Sequence, residues 1–118
     1  MRPNEYQVAC IRTTIDKYKN LDLVQPYADL LHAHLGMSSE VGEIGDCLKK
    51  HFIYGQPLDS DNLVEECGDL MWYVCLMLST AACVSTLEEC MQKNIDKLKL
   101  RYPEKFTEQD ALERKDKQ

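Results

Sequence analysis

The sequence predicts an all-α fold, on three observations. Glycines and prolines cut the chain into four pieces, and each repeats its apolar residues at three- and four-residue spacing. No stretch alternates polar and apolar residues with the β-branched enrichment of a strand. The 118 residues suffice for one modest core and not two, so a single domain is expected, with a core over about residues 4–102 and a polar tail over about 103–118.

The first helix is expected from about Asn4, a residue suited to an N-cap, to about Asn20, packing through Val8, Ile11, Ile15 and Tyr18. The second starts near Pro26, suited to a first turn, and runs to about Tyr54, where Gly55, Gln56 and Pro57 stop it. Its apolar stripe is Leu30, Met37, Val41, Ile44 and Leu48, with Glu40 and Glu43 beside it. Gly36, Gly42 and Gly45 each weaken this helix by about 1 kcal/mol relative to alanine, which points to close backbone approach or room for a ligand.

The third helix is expected from about Asn62 to about Ala82, with Leu63, Cys67, Leu70, Val74, Met77 and Leu78 inward and Glu66 and Asp69 just outside that stripe. Trp72 and Leu76 give it a second apolar face, which reads as a subunit interface or as a wall for a flat aromatic ligand. The fourth opens on a capping box, Ser85 and Glu88, and ends near Arg101 before Tyr102 and Pro103. Leu87, Met91, Ile95 and Leu98 face its core, and Asn94, Lys97 and Arg101 share a neighbouring face. The polar tail reads as a mobile segment or an arm that packs on a neighbour.

A formal net charge of -6 excludes a nucleic-acid groove built on bulk positive charge. An anionic small substrate stays open if metal ions neutralise it. No apolar run approaches the roughly 20 residues of a membrane span, and Met1 to Tyr6 opens a polar helix rather than a signal peptide, so a soluble, cytoplasmic chain is expected. The cysteines at 10, 47, 67, 75, 83 and 90 lack CxxC spacing and read as small helical hydrophobes. His32 and His34 lie about 200° apart on a helix and cannot share an ion, and no Glu-x-x-His pair offers a di-iron site.

The chemistry lies in two acidic motifs, Glu40-Val-Gly-Glu43 and Glu66-Cys-Gly-Asp69. Residues at i and i+3 share a helix face, so each motif presents a pair of hard oxygens. Either alone is usually a solvated helix face. Two of them, each beside a core stripe, fit Mg²⁺, which takes a few carboxylates together with substrate phosphates. Lys97 and Arg101 suit phosphate oxygens, though alone they would serve the helix dipole. Asn94 can hydrogen-bond sugar, phosphate or base, and Trp72 is either core or a base-stacking surface.

The order Glu40-x-x-Glu43, 22 residues, then Glu66-x-x-Asp69 within Glu65 to Tyr73, resembles the all-α MazG-like nucleotide pyrophosphohydrolases. Leu31 to Met37 is similar to that family's lead-in, and Asn94 to Pro103 with Phe106 to its C-terminal element, so the likeness covers roughly residues 27–114. The resemblance implies a four-helix-bundle core, a homodimer or homotetramer, and hydrolysis of nucleoside triphosphates to monophosphate and pyrophosphate. It implies Mg²⁺, or Mn²⁺, on Glu40, Glu43, Glu66 and Asp69, which are also the catalytic set, and nucleotide contacts from Asn94, Lys97 and Arg101. Asp46 and Glu65 are substitutes within the acidic set. The competing readings are a base-selective all-α dUTPase or dCTPase, and a non-catalytic helical dimer that binds nucleotides or a protein through the Trp72 side.

Overall fold

The computed structural model describes residues 1–117. Its helices are α1 (Pro3–Ile11), α2 (Gln25–Phe52), α3 (Ser60–Ser79), α4 (Leu87–Arg101) and α5 (Glu108–Glu113), followed by a 3-10 turn, Lys115–Lys117. There is no strand among the described residues, as the periodicity implies.

The long helices α2 and α3 pack along their length and run antiparallel. Gly36 meets Tyr73 at one end of their seam, Glu40 meets Glu66 and Asp69 in the middle, and Cys47 meets Asp59 near the connecting loop. Asp59 starts α3 by accepting the Asn62 N–H at 3.1 Å, two residues before the expected start. Helix α1 lies on the other side of α3, where Cys10, Cys75 and Leu87 are buried together beneath Tyr6, Trp72 and Leu78. Trp72, on the second apolar face of α3, packs in part against this cluster.

The first helix is shorter than its stripe suggests. It stops at Ile11 because the hydroxyls of Thr13 and Thr14 donate to the carbonyls of Cys10 and Ile11, at 3.0 and 2.9 Å, and compete with the helical ladder. Residues 12–24 form a connection instead. Val8, Ile11 and Ile15 are exposed, and the inward face of α1 is Tyr6, Gln7 and Cys10.

Gln7 is the join between three elements. Its buried amide donates to Ser79 Oγ and to the Ser85 carbonyl, both at 2.9 Å, and accepts the Leu87 N–H at 2.7 Å. Asn4 does not cap its own helix. Its side chain accepts the Glu88 N–H at 3.0 Å, so α1 satisfies first-turn donors of α4. The cap of α4 itself is Thr86, which accepts from Glu89 at 3.1 Å, one residue beyond the expected Ser85.

Helix α4 packs chiefly on α1 and the C-terminal segment. The tail folds as α5, capped by Thr107, and the 3-10 turn, where Asp116 takes Nε and Nη2 of Arg101 at 2.7 and 2.9 Å. The chain is open: its radius of gyration is 17.5 Å, against about 13–14 Å for a compact domain of about this length. Val41, Val64, Met71, Met91 and Ile95 all stand 45% exposed or more, so much apolar helix surface is left without cover.

Candidate metal centre

Antiparallel packing brings Glu40 of α2 opposite Glu66 and Asp69 of α3. One carboxylate oxygen from each lies within 4.8 Å of the others. Glu66 Oε2 is buried without a hydrogen-bond partner. The neighbouring Glu40 carboxyl, then burial and the charges of Glu40 and Asp69, hold the Glu66 carboxyl above its ordinary range. Three converging acids with an orphaned buried oxygen repel one another until a cation or a proton enters. The donor set, oxygen throughout, suits Mg²⁺ or Mn²⁺.

Two hollows flank the trio along the same seam. One, of about 410 Å³, is lined by Glu40, Asp69, Trp72 and Tyr73. The other, of about 430 Å³, is lined by Glu43, Asp46, Cys47 and Lys50 of α2 with Asp59 and Asn62 facing them. Glu43 thus points one turn further along α2, into the second hollow, and is not one of the trio. Asp46 is engaged by Lys50 at 3.2 Å, and Glu65 is exposed outside the cluster.

Trp72 lines the hollow beside Glu40 and Asp69. Asn94 and Lys97 are exposed on α4, and Arg101 is held by Asp116; none of the three lines either hollow. The hollows also take in Tyr73 and Lys50, which the sequence reading does not single out. Tyr73 follows Asp69 by four residues and Gly36 precedes Glu40 by four, so both continue the faces that carry the acids; that spacing is the signal.

Behind the trio, the Tyr6 hydroxyl donates to the Gly68 carbonyl at 3.3 Å, next to Asp69. Burial first, and then Cys10, push the Tyr6 phenol up to about 12, so it remains a donor at neutral pH.

The family model for the MazG nucleotide pyrophosphohydrolase domain matches residues 28–106, well over half of the chain. The chain belongs to that family. The matched span of this MazG chain takes in both acidic motifs, the aromatic pair and all of α4. No curated protein and no solved structure gives a significant match. The MazG match makes nucleotide pyrophosphohydrolase the activity class that the acid trio is read against. No helix among the described residues is long and apolar enough to cross a membrane.

Proposed function

We propose that this MazG chain hydrolyses (d)NTPs between the α and β phosphates, releasing monophosphate and pyrophosphate, in a cytoplasmic nucleotide-pool house-cleaning role. The convergence of Glu40, Glu66 and Asp69 around the unpartnered Glu66 Oε2 carries the reading. A net charge of -6 would repel a triphosphate, so the substrate must arrive neutralised.

Glu40, Glu66 and Asp69 would hold Mg²⁺, or Mn²⁺ in its place, with Glu43 extending the ligand set from the adjacent turn. When bound, such ions neutralise phosphate charge and acidify water. Glu43, one turn along α2, or Glu40, itself one of the trio, would orient the attacking water, each being a carboxylate acceptor on this seam. Trp72 and Tyr73 offer the hollow an apolar wall for the base. Lys50 lines the same hollow as Glu43 and could meet a phosphate there on leaving Asp46.

Asn94, Lys97 and Arg101 fit the scheme as substrate contacts in a homodimer or homotetramer. There α4 of one copy lies over the acid seam of another, and the uncovered Met91 and Ile95 complete a four-helix core with it. Arg101 must then exchange the Asp116 carboxylate for phosphate.

The test is to incubate the purified protein with Mg²⁺ and each standard NTP and dNTP and to follow products by phosphorus NMR. Monophosphate and pyrophosphate that vanish with EDTA are expected. Orthophosphate and diphosphate would place the cut at the other bond and overturn the mechanism. A protein with no metal response and no product would support the non-catalytic reading.

A further inference from the structure

We propose that the connection between α1 and α2, residues 12–24, selects the nucleobase: Thr13 sets the plane of Trp72, and Tyr18, acting through His32, sets that of Tyr73. This rests on the reading that a nucleotide enters the hollow lined by Glu40, Asp69, Trp72 and Tyr73.

A one-way chain of hydrogen bonds orients Trp72. Thr13 has a single hydroxyl proton, and Oγ1 donates it to the Cys10 carbonyl at 3.0 Å. The lone pairs that remain accept the Trp72 indole N–H, also at 3.0 Å. Indole has no other polar group, so this bond fixes which edge of the ring faces the connection and which face is left to the hollow.

A second chain of hydrogen bonds runs from Tyr18 to His32. Tyr18 gives its one proton to Asp29 Oδ1 at 2.7 Å, the shorter contact and the charged acceptor. Its 3.0 Å contact with His32 Nδ1 must therefore be donated by the imidazole, which fixes the proton on Nδ1 and the ring in place. Gln25 braces the same carboxylate at 2.9 Å and returns to the Ile15 carbonyl at 3.2 Å, closing the connection on itself.

His32 stands edge-on to Tyr73, with ring centroids 5.6 Å apart, and Tyr73 stands at 86° to Trp72, centroids 5.0 Å apart. Gly36 leaves the space in which the Tyr73 ring lies. Two fixed perpendicular rings suit a planar ligand that stacks on one and meets the edge of the other. A polyphosphate gains nothing from them, so their placement concerns the base. Thr13 and Tyr18 are thus positioning residues, and neither belongs to the acid motifs.

Trp72 is the only tryptophan, so its fluorescence reports this wall directly. The experiment titrates the four common nucleoside monophosphates into wild type, Thr13→Ser and Thr13→Val. Monophosphates read base binding whether or not triphosphates are turned over, which separates failure of this inference from failure of the hydrolase reading. Wild type is expected to quench saturably with a spread in Kd of about tenfold across bases, and Thr13→Ser to stay within about twofold of it. Thr13→Val should weaken the preferred base by about fivefold and shrink the spread to about threefold, while KM for triphosphate rises and kcat holds within about twofold.

Absence of quenching in wild type, Thr13→Val behaving as wild type, or Ser and Val losing equally would each overturn the proposal. Should Thr13→Val fail to fold, Tyr18→Phe takes its place. It deletes the hydroxyl that both Asp29 and His32 use, and an unchanged base spread in it would overturn the proposal equally.

Discussion

The ring of Tyr73 lies over Gly36, in the space that a side chain on that turn of α2 would fill. The contact sits one turn from Glu40 and one turn from Asp69, so it sets how closely the two acid-bearing helices approach. Gly36→Ala gains about 1 kcal/mol of helix propensity, yet its methyl collides with the Tyr73 ring. Net destabilisation of about 1–3 kcal/mol is expected in urea unfolding. A stabilised variant would show that the ring is not held there.

Glu66 gives a pH prediction. Its carboxyl titrates above the ordinary 4.5, so the folded chain retains a proton that the unfolded chain gives up. The resulting stability is present below that ordinary value and is lost as pH rises through the raised one. Metal-free wild type should therefore lose Tm as pH rises above the ordinary carboxylate range, and Glu66→Gln should flatten that loss. Equal slopes in EDTA-containing buffers would mean that the trio is not electrostatically strained.

Gln7 should be among the costliest polar residues to remove. Gln7→Ala strands the Leu87 N–H and takes partners from Ser79 and Ser85. A loss of about 2–3 kcal/mol is expected from the unsatisfied buried groups. Amide exchange at the start of α4 should rise with it, and a loss confined to α1 would contradict the role of Gln7 as the join.

The grip of Asp116 on Arg101 should be strongest at neutral pH. The guanidinium holds this carboxyl below its ordinary 3.8, so the contribution is present above that value and is lost as pH falls through the lowered one. Asp116→Asn should leave α4 folded, judged by circular dichroism, and speed tryptic cleavage after Arg101. Unchanged cleavage would mean that the tail stays docked without the ion pair.

That Glu40 meets Glu66 and Asp69 was legible from the i, i+3 spacing of the two motifs on facing helices, whereas the turn of Glu43 into the next hollow was not. Close approach at Gly36 was legible from its helix cost; Gly42 and Gly45, which carry the same cost, face open space. The end of α1 was not legible, since a stripe ending in Ile15 and Tyr18 continues smoothly past Thr13 and Thr14, whose side-chain bonds break the ladder. Gln7 looks like any solvent-facing glutamine until the turn between α3 and α4, more than seventy residues away, supplies its partners. Ser85 and Thr86 both fit a cap followed three residues later by glutamate, so local pattern alone could not choose between them. Arg101 reads as a free cation because Asp116 reaches it only through the folded tail.

The most direct measurement is Mn²⁺ binding by electron paramagnetic resonance on wild type and Glu66→Gln, run beside pyrophosphate release with Mg²⁺. Wild type should deplete the free Mn²⁺ signal, lose bound ion on addition of excess Mg²⁺, and turn over triphosphate. Glu66→Gln should keep its helical fold, leave the free signal intact, and lose turnover by at least about a hundredfold. A Glu66→Gln protein that binds Mn²⁺ and hydrolyses nucleotides as wild type does would contradict the central claim that these acids form the metal centre.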